Sequence, residues 1–307
     1  MTTVVVTGGA GFIGSHLVQQ LIAQNREVHV IDNLSTGNAN RVPPDAVLHI
    51  LDICSPEANS MICSIKPDIV FHLAAQANVQ RSIRNPILDM EINIRGTLNI
   101  LDACRKASVR KIIFASTSGV YGNLQKELIT EEDPADPISF YGLSKLVAEQ
   151  YIRLYEGFTG LPYTILRFGN VYGPGQTADT EGGVVAIFIK QLMEAQPLTI
   201  NGDGEQSRDF IYVEDVVQAN IAAIERGNLS TLNISTGNKT TVNRLIELLR
   251  TCHPQNIRTR SGPAKEGEIR HSSLSNKNAA LHLQWQPQFT IEQGIKHTYK
   301  KNQADSL

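Results

Sequence analysis

The 307-residue sequence is short of the features that mark several protein classes. Its four cysteines, Cys54, Cys63, Cys104 and Cys252, lie far apart without a C-x-x-C pair, so neither a zinc site nor a disulfide framework is expected. That usage suits a reducing compartment, and we expect a cytoplasmic protein. The eight histidines show no ligand spacing, which argues against any metal. No apolar run reaches the roughly 18 residues of a membrane span, and Met1 runs into VVV with no basic region and apolar signal segment behind it. Neither export nor a membrane partner is expected. An excess of one charge is missing too: 28 Lys and Arg against 30 Asp and Glu leave a net charge of −2, no footprint for nucleic acid or an anionic surface. Aromatics are only 6%, and the single tryptophan, Trp285 in LQWQP, is expected to anchor the C-terminal segment to the core rather than to stack on a ligand.

What remains is an ordinary globular composition, 41% hydrophobic and 19% charged. Short apolar runs alternate with amphipathic stretches. The runs are Val4–Val6, Val28–Ile31, Val47–Leu51, Ile69–Ala74, Lys111–Ser116 and Tyr163–Phe168, and helix-like segments such as Gly14–Ala23, Asn93–Lys106 and Tyr141–Phe158 lie between them. This βαβαβ order predicts an α/β fold of Rossmann type, a doubly wound, mostly parallel sheet with helices on both faces. We place it in residues 1–170, with later returns of the chain around 205–225, and assign 171–307 mainly to a smaller α/β cap. There SGPAKEGE (261–268) reads as loop and residues 302–307 as a frayed end.

TGGAGFIGSHL places Gly8, Gly11 and Gly14 between the first strand and the first helix. That spacing allows a tight turn, close approach of a pyrophosphate to backbone N–H groups, and close helix–strand packing. Asp32 ends the second strand about 20 residues further on, where a carboxylate accepts hydrogen bonds from a ribose diol and repels a 2′-phosphate, favouring NAD over NADP. Asp52 ends the third strand, placed either to reach the adenine or to cap the next helix.

Of the eight tyrosines only Tyr141 has a lysine four residues on, Lys145, so the two share one face of a predicted helix. A tyrosine, with its pKa of about 10, is a poor base at neutral pH, and an ammonium and an oxidised nicotinamide both favour its phenolate. Lowering that pKa by about 3 represents roughly 4 kcal/mol, within reach of two partly desolvated positive charges. ASTSGVYG (115–122) adds hydroxyls at Ser116, Thr117 and Ser118 at a strand's carboxyl end, where doubly wound folds bind ligands.

With these residues in order, the chain resembles the extended short-chain dehydrogenases/reductases, and within them the UDP-glucose 4-epimerase branch of nucleotide-sugar enzymes. The likeness runs through DNLSTG (32–37), HLAAQANV (72–79), NIRGT (93–97), YGLSK (141–145), RFGNVYGPGQ (167–176), GDGEQSRDFIYVEDV (202–216) and, more loosely, GEIRHS (267–272). It implies Tyr141 as acid/base, Lys145 as its electrostatic partner and ribose ligand, and Thr117 as the hydroxyl beside the reacting C4 oxygen. For NAD it implies Gly8, Gly11, Phe12, Ile13 and Gly14 around the phosphates, and Asp32, Asn33, Ser35, Thr36 and Gly37 around the adenosine ribose. Asp52 and Ile53 would meet the adenine, and Leu73, Ala74, Ala75, Gln76, Asn93 and Ser116 would line the rest. Substrate contacts would come from Thr117, Ser118, Tyr141, Asn170, Val184, Arg208, Lys265, Arg270 and Ser272. Dimerisation, common among the relatives, would pair the helices near 90–106 and 141–158 as a four-helix bundle.

The reaction can be narrowed further. A dehydratase of this family needs an acid/base pair just after the catalytic hydroxyl, and Ser118 and Gly119 cannot serve. A uronate enzyme needs donors for the sugar carboxylate, and TADTEGGVV (177–185) holds no Arg, leaving Thr177 and Thr180. A 4-epimerase of UDP-hexoses needs only the reversible chemistry of Tyr141 and NAD, an anchored diphosphate and a loosely held sugar. Two departures stand out: Lys265 replaces an Arg and cannot bind phosphate bidentately, and the small Ser272 stands where bulk would exclude an N-acetyl group. UDP-glucose and UDP-galactose, and also UDP-GlcNAc and UDP-GalNAc, are therefore expected substrates. The alternatives are a UDP-glucuronate 4-epimerase or other nucleotide-sugar oxidoreductase, and a non-catalytic NAD-binding sensor.

Overall fold

The computed structural model describes residues 2–178, 183–263 and 270–305. Six strands stand where the apolar runs placed them: β1 (Thr3–Thr7), β2 (Glu27–Asp32), β3 (Val47–Ile50), β4 (Ile69–His72), β5 (Lys111–Thr117) and β6 (Tyr163–Phe168). A seventh, β11 (Ser230–Ile234), completes a parallel sheet of order β3-β2-β1-β4-β5-β6-β11. The chain winds outward from β1 through β2 to β3, then returns to lay β4 on the other side of β1, in register Val5↔Val70. That reversal makes a crevice at the carboxyl ends of β1 and β4.

Near-continuous Val, Ile and Phe bury both faces of the central strands, as a covered parallel sheet requires. Alternate residues sort into two cores. Val4, Val6, Val30, Phe71, Ile113 and Leu166 face α1 (Phe12–Ala23) and α8 (Val213–Ala222). Val5, Ile31, Val70, Ile112, Phe114 and Ile165 face α2 (Pro56–Ile65), α5 (Gly96–Lys106) and α6 (Phe140–Thr159). Between β4 and α5 the chain makes α3 (Val79–Arg84), α4 (Pro86–Met90) and one π-helical turn, Glu91–Arg95.

The remaining elements form a second unit around Tyr172, Phe188, Phe210, Tyr212, Leu245, Leu249 and Tyr299. Its strands pair two by two: β7 (Asn170–Tyr172) with β10 (Phe210–Tyr212), β8 (Leu198–Asn201) with β13 (Thr259–Gly262), and β9 (Ser207–Arg208) with β12 (Thr240–Thr241). Its helices are α7 (Val184–Met193), α9 (Val242–Cys252), α10 (Lys277–Leu283) and α11 (Ile291–Asp305). α8 and β11 carry the chain back to the first unit. Trp285 is buried against that core and its indole N–H donates to Asp215 O at 3.0 Å.

Two expectations need correction. Ser261 and Gly262, read as loop, belong to β13 and pair with Ile200 and Asn201; the strand is exposed, so no apolar run announces it. Residues 302–305 continue α11 instead of fraying, because Ile295, Thr298 and Tyr299 bury one side of that helix and Tyr299 OH meets His253 Nδ1 at 2.7 Å.

Candidate active site

At the β1–α1 turn each glycine has its own physical reason. Gly8 has φ +72°, and a Cβ there would lie 2.7 Å from Ala74 N. A Cβ on Gly14 would stand 2.1 Å from Gly8 O, so only glycine lets α1 press onto the strand end. Gly11 precedes α1 in extended conformation and no side chain caps the helix, so its first N–H groups are offered to an anion. A bare helix start in a cradle that side chains would fill fits a pyrophosphate.

Asp32 closes this turn. Its carboxylate accepts the N–H groups of Ala10 at 3.0 Å and Leu34 at 2.8 Å, and a Cβ on Gly37 would come within 2.9 Å of it. The exposed Ser35 and Thr36 lie on the loop so formed, whose N–H at Ser35 bonds to Asn33 Oδ1. Asn33 Nδ2 reaches Asp52 Oδ2 at 2.9 Å, while Asp52 Oδ1 accepts Cys54 N–H at 2.7 Å. Ser55, not Asp52, caps α2 through Ala58 N–H, and Ile53 is buried against Gly96. Asp32, Asn33 and Asp52 thus edge one surface at the ends of β2 and β3.

Behind β4 lies a buried polar relay that the sequence did not announce. Thr97 Oγ1 donates to Asn93 O at 2.6 Å, so it must accept from His72 Nε2–H at 3.0 Å. His72 Nδ1 is then the acceptor for Thr7 Oγ1–H at 2.7 Å, and Thr7 in turn accepts Ala74 N–H. Burial, and secondarily the Lys145 ammonium, push the His72 pKa down to about 3. The ring is neutral and its tautomer fixed. Asn93, inside the π-helical turn, holds the loop Leu73–Gln76: its Oδ1 accepts Gln76 N–H at 2.9 Å and its Nδ2 donates to Gln76 O at 3.0 Å.

Tyr141 and Lys145 open α6. Ser139 Oγ caps the helix at Gly142 N–H, and a Cβ on Gly142 would fall 2.6 Å from Gly119 O. That close approach packs the start of α6 on the turn Ser118–Tyr121 after β5, in which Thr117 Oγ1 accepts Gly119 N–H at 3.1 Å. Tyr141 N–H donates to Ser82 Oγ of α3, and Tyr141 O accepts Ser144 Oγ–H. Lys145 is 2% exposed, its Nζ lies 4.5 Å from the Phe114 ring centroid, and it makes no hydrogen bond to a described residue. Burial pulls its pKa down to about 8 against the opposing pull of Asp89 and Glu149. Ser116 turns its hydroxyl inward to Glu149 Oε1 at 2.6 Å, leaving only its backbone for a cofactor.

Of the other expected substrate residues, Arg208, Arg270 and Ser272 lie on β9 and the segment beside it. Arg208 is half-buried, with Nη1 on Ser207 O at 2.9 Å, and Ser272 N–H bonds to the same oxygen at 3.2 Å. Arg270 is exposed and turned to Asp203 at 2.6 Å. Asn170, exposed on β7, is held by its N–H to Asp209 O, and Val184 begins α7. Asp209, unforeseen, is buried and clamps the N–H groups of Thr236, Gly237 and Leu274. Thr180 and Lys265 lie outside the described residues. Among the described residues no three His, Cys, Asp or Glu side chains converge as a metal would need.

Comparison with known proteins fixes the lineage. Residues 4–235 match the NAD dependent epimerase/dehydratase family, so the chain belongs to that family and NAD is its cofactor. It is 35% identical over 300 residues to the UDP-glucose 4-epimerase of Mycolicibacterium smegmatis, covering 95% of this chain and 96% of that protein. The UDP-glucose 4-epimerase of Thermotoga maritima, solved with UDP-glucose, superposes with a TM-score of 0.95 at 40% identity, 99% of each chain being covered. The UDP-N-acetylglucosamine 4-epimerase of Methanobrevibacter ruminantium, solved with UDP-N-acetylmuramic acid, gives 0.94 at 32% identity, again over 99% of each chain.

Proposed function

We propose that the protein is a cytoplasmic UDP-hexose 4-epimerase that acts on UDP-glucose and UDP-galactose and also takes UDP-GlcNAc and UDP-GalNAc. The observation that carries this reading is the Tyr141–Lys145 pair, one helical turn apart, its ammonium buried and without a hydrogen bond to a described residue beside a cradle made for a dinucleotide. Bound NAD supplies a reversible acceptor for the hydrogen and electron pair of sugar C4. The glycine turn would hold its pyrophosphate, Asp32 and Asn33 its adenosine ribose, Asp52 and Ile53 the adenine edge, and Leu73–Gln76 with Asn93 the remainder.

Tyr141 as phenolate removes the proton of the 4-hydroxyl, and Lys145, as a neighbouring cation, stabilises that phenolate. Thr117 donates to the C4 oxygen and holds it in line with Tyr141. When the sugar has turned over, C4 would regain its hydrogen and electron pair on the other face as Tyr141 returns its proton to the oxygen, so no net redox change occurs. Turning needs a fixed nucleotide and a free hexose. Arg208, with Lys265 and Arg270, anchors the diphosphate in this reading, which requires Arg270 to leave Asp203; that exchange is easy for an exposed ion pair. Asn170 stands with Arg208 at the diphosphate, Val184 borders the sugar, and the small Ser272 leaves room for an acetamide. Residues 1–170 with the return through α8 and β11 are then the NAD unit, and most of 171–307 the nucleotide-sugar unit.

The protein is proposed to work as a homodimer. Phe140, Leu143, Tyr151, Leu154 and Phe158 form an exposed stripe at helical spacing on α6, and Val79, Ile83, Ile87 and Met90 extend it along α3 and α4. Such a surface fits a second copy of itself.

Proton NMR of the purified protein with UDP-galactose and, separately, UDP-GalNAc tests the reading. New gluco-configured anomeric signals are expected in both, and Tyr141→Phe should abolish them while sparing NAD binding. Conversion of UDP-galactose alone would refute the open sugar pocket. Silence in both with NAD added would refute the epimerase reading in favour of UDP-glucuronate or a sensor.

A further inference from the structure

We propose that Asp89 is a positioning residue for the Tyr141–Lys145 pair: a buried carboxylate that supplies the uncancelled negative charge opposite Lys145 and, through Asn93, joins Tyr141 to the cofactor-lining loop. This rests on the epimerase reading and extends it to a residue that no sequence motif marks.

Asp89 sits on α4, just before the π-helical turn, and is 1% exposed. Its Oδ1 accepts Gln76 Nε2 at 2.8 Å and Asn93 Nδ2 at 3.2 Å. Asn93 Nδ2 also reaches Ser144 Oγ at 3.0 Å, and that hydroxyl donates to Tyr141 O. One carboxylate oxygen therefore ties together the loop at Gln76 and the first turn of α6. The other, Oδ2, is buried with no hydrogen-bond partner, a costly arrangement for a group of purely structural use.

The charges acting on Lys145 show what this carboxylate does. On its own helix stand Tyr141 one turn before and Glu149 one turn after; β5 contributes the face of Phe114 and β4 the neutral His72. Asp89 and Glu149 are the two carboxylates acting on the ammonium. Glu149 is already matched by Arg167 at 2.6 Å and Arg153 at 3.1 Å. Asp89 has no ion pair with any described residue, so its field reaches Lys145 uncancelled.

The isosteric variant Asp89→Asn tests this in NAD-bound protein. Heteronuclear NMR of the Lys145 side-chain Cε and Nζ across pH, with the signal assigned by Lys145→Arg, reads that buried ammonium directly, without turnover. Loss of the carboxylate should lower the titration midpoint by about one pH unit, roughly tenfold in the protonation equilibrium, and the alkaline limb of kcat should move down in step. A merely structural role would weaken NAD binding at every pH and leave the midpoint in place, which overturns the proposal. Should Asp89→Asn not fold, Asp89→Glu carries the test: with the charge kept and the hydrogen bonds displaced, kcat falls but the midpoint holds, whereas a lowered midpoint refutes the charge role. A shifted midpoint in a protein inactive on every UDP-sugar would sink the epimerase reading alone; wild-type turnover with an unshifted midpoint would sink this inference alone.

Discussion

Removing the charge of Glu149 should destabilise the whole molecule and disturb the site from behind. The side chain is fully buried and accepts four hydrogen bonds: Ser116 Oγ at 2.6 Å, Arg167 Nε at 2.9 Å and Nη2 at 2.6 Å, and Arg153 Nη2 at 3.1 Å. Arg167 is itself buried and spends a further N–H on Tyr121 OH at 2.9 Å, so it cannot turn to water. Arg153 reaches the surface and can. Glu149→Gln therefore strands one buried guanidinium, and breaking such a pair on one side costs about 3–5 kcal/mol. Against a total of about 5–15 kcal/mol this is a large share, equivalent to a fall of roughly 10 °C in Tm. Urea unfolding of the NAD-saturated protein should show a lower midpoint at unchanged slope, and NAD should bind more weakly because Ser116 and Arg167 must then share a single uncharged acceptor oxygen behind the end of β5. Replacing both charges, Glu149→Leu with Arg167→Met, should recover most of the loss, since the stranded charge and not the missing attraction is the main penalty. A loss below about 1 kcal/mol for Glu149→Gln, or a double variant no better than the single one, would refute this account.

His72 is neutral in the fold, with its pKa near 3 through burial and the Lys145 ammonium, but it takes a proton in the unfolded chain below about pH 6.5. Its folded pKa is depressed, so stability is full above about pH 6.5 and lost at about 1.4 kcal/mol per pH unit as the pH falls towards 3; His72→Asn should flatten that slope in urea titrations across the acid range. Asp32→Asn keeps the shape at the end of β2 but removes the charge that opposes a 2′-phosphate, so fluorescence titration should find the preference for NAD over NADP reduced at least tenfold; an unchanged preference would show that Asp32 serves only the loop.

The parts legible in the sequence are those whose cause is local. The glycine turn is set by three residues within seven, and the central strands by unbroken apolar runs. Tyr141 and Lys145 are linked by one helical turn, so a spacing of four exposes them. Asp89 has no such cue, because Gln76, which bonds to it, and Ser144, which it reaches through Asn93, come from a loop and a helix that only the tertiary fold brings to it. Glu149 continues the spacing of Tyr141 and Lys145, yet its meaning depends on Ser116 and Arg167 from two other strands. The inward turn of the Ser116 hydroxyl was hidden for the same reason: at a strand's end a period of two leaves open which neighbour a hydroxyl will find. β13 was missed because pairing with β8 satisfies its backbone without burying its side chains, and the reach of α11 into 302–305 because its buried residues meet a surface assembled from distant segments.

These long-range groups decide which positive charge the site contains. His72 and Lys145 are both buried beside the cofactor loop, and two cations there would repel each other and compete for the same carboxylates. The protein settles the choice by hydrogen bonding. Thr97 has spent its only proton on Asn93 O, so it can accept from His72 and cannot donate; Thr7 receives Ala74 N–H and so turns its own proton to His72 Nδ1. A second proton on the ring would break that bond and face the Lys145 ammonium besides. Lys145 meets the reverse arrangement: its ammonium has an aromatic face on β5, Asp89 uncancelled on one side and Glu149 on the other. Burial alone would neutralise both groups. The hydrogen-bonded relay holds the imidazole neutral and the carboxylates sustain the ammonium, which leaves one fixed positive charge to serve the proton transfer that the epimerase proposal gives to Tyr141.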